Sequence, residues 1–589
     1  MAIQTTTTIY IANKQLSSYK RLQLHQEIDA HHSLELVCRT DAIEQLSDEL
    51  IGESKEYIGS IITIQVSANS TVDSYRELEF KGVVTGVETV KGFEESQGDL
   101  ICIKAKSASI LADNFPHYAS YSEVGLSDIL QDTFQGYDLG KLETNFAPTN
   151  TSTIHYSVQH NESDFAYASR LSAYYNDWFY YDGKQLIFGR PSTEEIELSY
   201  GIDLKKFSIN MEPMPNNASY FTNDFLTNTV HQKSSSEVNI PSEGYHGFAD
   251  SKSRELYNKQ TRVYNPLYTD ATMKPRLDAQ IEAYTKSRAI QQIIAKGGSD
   301  NPGVCLGQII RINGHGSYRV TKIVHTNVEG GVYKNEFEAV DANFDAYPKM
   351  DIYRFPKSET QTATVVENSD PDGLGRIKVQ FSWQKPLGER TPWLRMITPH
   401  AGADKGFHFI PEINEEVMVG FEGGNAERPF VLGALYNGSK NPSSWQSQNN
   451  DIKAIRTKSQ HTITLDDSNG AEMITITDKN NNIIRIDTAN NNIEISALEN
   501  MTLNAKNIEI NAAEEIKMNA GTNMITRVTE DISVVAKNIT ETVEEDKTVV
   551  AKEILGNAEK MRLESSQENM ELVSSKQVDV QAQDKIKLF

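Results

Sequence analysis

The sequence predicts a mainly β protein in three successive parts: α+β domains first, then a small OB-fold barrel, then a C-terminal triangular, intertwined trimeric β-helix or prism. Three observations predict it. The chain has 589 residues, room for three to five domains at roughly 100 to 200 residues each. Short alternating strands closed by Pro, Gly or Asn crowd residues 361 to 440. Beyond Trp445 the aromatic residues vanish: 144 residues hold only Phe589, in a chain that is 8% aromatic overall. The expected boundaries are therefore 1–360, 361–445 and 446–589.

In the first part, Asn161 to Asp164 form an acidic N-cap that opens a helix whose buried stripe is Phe165, Ala168, Leu171 and Tyr175. A hairpin follows, with Trp178 to Tyr181 and Leu186 to Phe188 turning around Asp182-Gly183. A second helix takes Pro275 in its first turn and is expected to run to Gly297-Gly298, with Leu277, Ile281, Tyr284 and Ile294 along one side. The segment VCLGQIIRINGHGSYRVTKIVH then reads as a strand pair.

The middle part opens with TATVVENSDPDGLGRIKVQFSW, a strand, a turn at Asp370 to Gly375 and an alternating strand through Ile377, Val379 and Phe381. TPWLRMITP, EEVMVGFEGG and RPFVLGALYNG supply three more short strands. Five strands in so few residues predict a small closed barrel of the OB type. Such barrels bind oligonucleotides through basic, aromatic-studded faces. Here Glu412, Glu415, Glu416, Glu422 and Glu427 are expected to crowd the surface, so the barrel reads as a structural collar.

The last part has no Pro, no Cys and only Gly470, Gly521 and Gly556. Apolar pairs recur instead, seven to nine residues apart: Ile493/Ile495, Met501/Leu503, Ile508/Ile510, Ile516/Met518, Ile532/Val534, Met561/Leu563, Met570/Leu572, Val578/Val580 and Ile586/Leu588. Residues two apart share a face of a strand and diverge on a helix, which favours short strands over a coiled coil. Such a strand is too narrow to bury its apolar side within one chain. Three chains wound into a prism would bury these residues on a common axis, where rings are too wide and proline would break the ladder. The result is a needle on the order of 60 Å long. Its register blurs between Ile539 and Ile554. The segment ending in Ile586, Leu588 and Phe589 is expected either to dock a small tip protein or to plug the prism with Phe589.

Composition excludes several function classes. Acidic residues outnumber basic ones 81 to 57, for a net charge of −24, which argues against nucleic acid or anionic membrane as partners. No stretch approaches the roughly 18 apolar residues of a membrane span, and MAIQTTTTIYIANK lacks the features of a secretory signal, so synthesis is expected to end in the cytoplasm. Cys38, Cys102 and Cys305 are too few and scattered for a disulfide framework and read as small hydrophobes. No phosphate loop, dinucleotide fingerprint, HExxH or GxSxG occurs. His31-His32 and His400/His408 read as ordinary turn and strand positions rather than a metal site. Asp478, Asn480 and Asn482 imitate a calcium loop, but Ile483 and Ala489 occupy its Gly and Glu positions, which leaves a turn. No catalytic, cofactor or metal site is expected, and the protein is expected not to be an enzyme.

Two phrases carry a family resemblance: Gly375, Arg376, Lys378, Val379 and Phe381 in GLGRIKVQF, and Arg428, Pro429, Gly433, Tyr436 and Asn437 in RPFVLGALYN. With the octad tail behind them they resemble VgrG, the spike of bacterial type VI secretion systems and a relative of phage tail hub-spikes. The resemblance implies a hub of two barrel-type subdomains with helical insertions over 1–360 and a homotrimer seated on a hexameric Hcp-like tube. It also implies a PAAR-type tip protein at the C-terminus, baseplate proteins and effectors or adaptors as further partners. The machine would assemble in the cytoplasm, and firing would export the spike through the target envelope without stable membrane insertion. The spike of a phage tail or of an extracellular contractile particle is the near alternative; a trimeric tail-fibre adhesin or enzyme is the distant one.

Overall fold

Strand alternation dominates the computed structural model, which describes residues 4–43, 51–69, 77–91, 98–241 and 244–588. The chain divides into two units, one covering residues up to Lys479 with Ile484–Glu494, the other Asn480–Ile483 with the chain from Ile495 onward.

In the first unit, six antiparallel strands pair in the spatial order Arg21–Glu27, Ser33–Arg39, Leu100–Ser107, Leu78–Val90, Ile61–Ala68, Thr5–Ile11. Every second side chain points inward, and Leu22, Leu24, Leu34, Leu36, Ile62 and Ile103 are sealed from solvent. The strand pair Gly316–Val328 and Val332–Asp341 closes this sheet. Gly316–Val328 pairs with Arg21–Glu27, and Thr5 N donates to Gly331 O at 3.1 Å beside a Gln4–Val332 bridge.

The same long pair also starts a second sheet-wrapped core. Val332–Asp341 carries Ile293–Ser299, which carries Leu204–Met211, while Gly316–Val328 carries Ile309–Ile312 and, parallel to that, Glu195–Leu198. Leu198, Leu204, Ile310, Val320, Ile323 and Phe337 fill it.

Four α-helices occur among the described residues: α1 (Leu126–Thr133), α2 (Asp164–Tyr175), α3 (Gly244–Leu256) and α4 (Met273–Ile290). Ser163 caps α2 by accepting from Ala166 N at 3.2 Å. Asn176, at φ 61°, ends it in the left-handed region. The hairpin Trp178–Tyr181 with Gln185–Gly189 follows.

The expectation for the second helix needs correction. Helix α4 stops at Ile290, and Ile294 and Gly297 lie on the strand Ile293–Ser299. The run Ile293, Ala295, Gly297, Ser299 is buried at every second residue, a period-2 signal that outweighs continuation of the helix. Gly297 is needed there because a Cβ would stand 2.3 Å from the Phe337 ring.

Residues 361–435 form a four-stranded sheet in the order Lys378–Phe381, Gln361–Glu367, Glu416–Phe421, Pro429–Leu435. The expected fifth strand, TPWLRMITP, makes only two isolated bridges, Ile377–Leu394 and Met396–Val431. Pro392 and Pro399 flank it and cannot donate to a ladder, yet the two bridges join the outer strands of the sheet. Val365, Ile377, Val379, Phe381, Val417 and Val431 form the core. Beyond it, residues 452–496 form a five-stranded sheet in chain order. After Ser496 the described residues contain no strand paired within the chain.

Candidate functional site

The motif residues of the barrel are structural clamps. The Asp370 carboxylate accepts from the backbone N of Asp372, Leu374 and Arg376, and from Arg376 Nε at 2.9 Å and Nη2 at 2.7 Å. Gly375, at φ 69°, lets the turn close. The Arg376 hydrogen bonds hold the Asp370 carboxyl well below the ordinary carboxylate range, although burial opposes this. Lys378 lies 4.9 Å from the Trp393 ring centroid and 3.2 Å from Glu367. Asn437 donates to Glu416 at 2.8 Å and accepts from Ser439 N and Lys440 N. Pro429 begins the last strand opposite Phe421, Gly433 sits at its bulge opposite Met418, and Tyr436 is exposed.

A buried polar joint fixes the barrel to the N-terminal part. Arg170 of α2 donates through Nη1 to Glu427 Oε1 at 3.1 Å and through Nε to Glu162 Oε1 at 2.8 Å. Its Nη2 donates to Val158 O at 2.7 Å. Ser157 Oγ and Val158 N donate to the same Glu427 oxygen. Burial alone would lower the Arg170 pKa, but the carboxylates of Glu427 and Glu162 raise it above its ordinary value. Alongside, Ser120 donates through N and Oγ to Glu389, and Gln384 donates to Ser120 Oγ and Tyr156 OH. Glu427 was expected on the surface and is instead turned into this joint, with its side chain 16% exposed. Glu415 and Glu416 are half-buried, while Glu412 and Glu422 remain outside. Glu422 accepts from Tyr264 OH at 2.8 Å.

No group of three or more His, Cys, Asp or Glu suited to a metal ion occurs among the described residues. His32 and His325 lie in a buried relay: Gln26 Nε2 meets His32 Nδ1 at 3.0 Å, Gln26 Oε1 meets His325 Nε2 at 2.9 Å, and His325 Nδ1 meets Tyr333 OH at 2.6 Å. Burial pushes both imidazoles down to about 3, so they are neutral core groups. His31 bonds to Ser109, and His400 and His408 are exposed. Asn481, at φ 65°, turns the chain between Met473–Thr477 and Ile483–Asp487. Cys38 is buried and its thiol is pushed up to about 12 by burial; Cys102 and Cys305 are half-buried.

The tail is a train of segments with neither helix nor paired strand, separated by bends at residues 506, 513–514, 521–522, 529–530, 537, 544–545, 552 and 559–560, continuing at 566–568, 575–576 and 583–584. The spacing stays near eight residues straight through 539–560. In eight segments an apolar pair is followed two residues later by a small residue, at Ala497, Ala505, Ala512, Ala520, Ala536, Ser565, Ser574 and Ala582; in the other four the same positions read Met524, Thr526, Val528, then Ile539, Glu541, Val543, then Lys547, Val549, Ala551, and Ile554, Gly556, Ala558. These three positions share one face. Ile493, Ile495, Ile508, Ile510, Ile516, Met518, Val578 and Val580 on it are 51–73% exposed in the single chain; off that face Ile525 is 71% exposed and Val535, Val550, Leu555 and Val573 reach 86–94%. Ile586 and Leu588 are exposed too; Phe589 lies outside the described residues.

Residues 28–330 match the family model of the phage tail baseplate hub (GPD), and residues 361–436 match the type VI secretion system/phage-baseplate injector OB domain. These matches define the class: a baseplate hub joined to an injector barrel. The type VI secretion system spike protein VgrG5 of Pseudomonas aeruginosa is 24% identical over 358 residues, covering 52% of this chain and 43% of that protein. VgrG1b of the same organism is 29% identical over 189 residues, 29% of this chain and 25% of that protein. The chain thus spans less than half the length of these curated relatives. The fold is also that of one chain of the Francisella PdpA-VgrG complex in its lidded form, at a TM-score of 0.53 and 10% identity over 84% of this chain and 80% of that one. The chain belongs to the phage tail baseplate hub family, and the curated relatives it resembles are VgrG spike proteins.

Proposed function

We propose that this chain is the central spike of a contractile injection machine of the type VI secretion class, mechanical rather than catalytic, working as a homotrimer. The observation that carries the reading is the tail: every segment presents an apolar face that one chain leaves open, behind a hub and an injector barrel. In this reading 1–360 is the hub, 361–445 the barrel and 446–589 the needle. The hub caps a hexameric Hcp-like tube within the baseplate, and a PAAR-type tip protein meets the needle near Ile586 and Leu588, with Phe589 as a further contact. Effectors or adaptors travel with the tip, and the assembled spike leaves the cytoplasm when the sheath contracts.

Light scattering at micromolar concentration tests the oligomer: the expected mass is about three times the 66.0 kDa chain. A folded monomer overturns the reading. In the source cell, deleting the gene should abolish contraction-dependent release of the tube protein, and unaltered release overturns the proposed role. Removing residues 585–589 from the trimer should abolish capture of the tip protein, and unchanged capture overturns the tip contact.

A further inference from the structure

The tail's apolar face is interrupted by charge in one place. The segment between the bends at 537 and 544–545 carries Ile539, Glu541 and Val543 on that face, and the next carries Lys547, Val549 and Ala551. Glu541 and Lys547 thus take positions that neighbouring octads give to Ile, Val, Leu or Met. Elsewhere the tail's ion pairs lie on the opposite face and join residues two apart, as in Glu515–Lys517 at 2.5 Å and Arg562–Glu564. Glu541 and Lys547 instead pair with each other around the bend.

We propose that three copies of Glu541 and Lys547 form a closed ring of alternating carboxylate and ammonium groups on the needle axis, and that this ring sets the axial register of the three chains. The inference rests on the trimeric reading above. Uniform apolar octads slide past one another by one repeat with little loss, because each layer resembles the next. A charged layer disfavours the slide: a chain shifted by one octad would carry its Glu541–Lys547 pair among Ile539, Val549 and Ile554 of its neighbours, where each group keeps its own partner but loses the contacts to the other two chains. In register, every carboxylate meets an ammonium of its own chain and one of a neighbour, and that second contact offsets desolvation. The logic is that of a single polar residue in a coiled-coil seam, which fixes register at some cost in stability.

The test uses the full chain in four forms. Glu541→Lys places six ammonium groups in one layer and should lower the trimer's melting midpoint by about ten degrees or more. The exchange Glu541→Lys with Lys547→Glu should restore most of that loss, while Glu515→Lys on the opposite face should change little. In trimers assembled from an equal mixture of 14N and 15N wild-type chains, a zero-length carbodiimide crosslink should join Glu541 of one isotope to Lys547 of the other. If Glu541→Lys is as harmless as Glu515→Lys, or if only same-isotope crosslinks form in a wild-type trimer, the ring is overturned while the trimer stands. A monomeric wild type removes both.

Discussion

Arg170 in the middle of helix α2 and Glu427 in the injector barrel, 257 residues apart in sequence, lie 3.1 Å apart with both side chains withdrawn from solvent. The guanidinium also holds Glu162 and Val158 O, so one cation ties a helix, a strand and the barrel together. This polar bolt resists shear between helix α2 and the barrel through directional bonds, which a greasy contact does not.

Breaking the bolt should uncouple the barrel. Glu427→Gln removes one carboxylate from a buried pair and leaves Arg170 with Glu162 alone, a change expected to cost roughly 3 kcal/mol. Calorimetry should then show the barrel melting ahead of the N-terminal part; a single unshifted transition would show that the pair contributes little.

The Asp370–Arg376 clamp should make the barrel acid-sensitive. Because the folded Asp370 carboxyl sits below its ordinary value, its contribution is fully present above about pH 4 and is lost as pH falls through the depressed folded value. Asp370→Asn should lower the barrel's melting temperature at pH 7 and flatten its pH dependence between about pH 4 and pH 2. Parallel pH profiles for the two proteins would contradict the assignment.

Gly297→Ala should strain the second sheet-wrapped core, since the added Cβ meets the buried Phe337 ring. Overpacking of this kind costs about 1–3 kcal/mol. Phe337→Leu in the same background should recover part of that loss in a denaturant titration, and no recovery would point away from the ring contact.

In the proposed trimer, Ile508→Asp should cripple assembly, because three carboxylates would crowd the axis at roughly 3 kcal/mol or more each. Glu509→Ala, on the opposite face, should be tolerated. Equal melting temperatures for the two variants would reverse the inside and outside of the needle.

The sequence made local features legible and distant pairings opaque. The Ser163-capped helix, the Asp370 turn and the octad period all follow from residues within ten positions of one another. Glu427 looked like one more surface acid because its partner Arg170 stands on another element. The sequence extends helix α4 too far because Ile293 and Ile294 suit either a helix or a buried strand, and the neighbour that decides, Phe337, is more than 40 residues away. Between Ile539 and Ile554 the period blurs in the sequence because Glu541 and Lys547 break the apolar pattern, while the bends keep a spacing of seven to eight residues.

An apolar face left open along the whole tail also bears on how the molecule is born. A ribosome releases the N-terminal sheets first, and these hold complete cores of their own, whereas the tail of a lone nascent chain has nothing to fold against. Three hubs that have already met would hold their tails at a high effective concentration and turn a three-body encounter into a tethered one. The needle would then close like a zipper starting from the hub, and the charged layer would be the tooth that prevents it from closing one notch out of step.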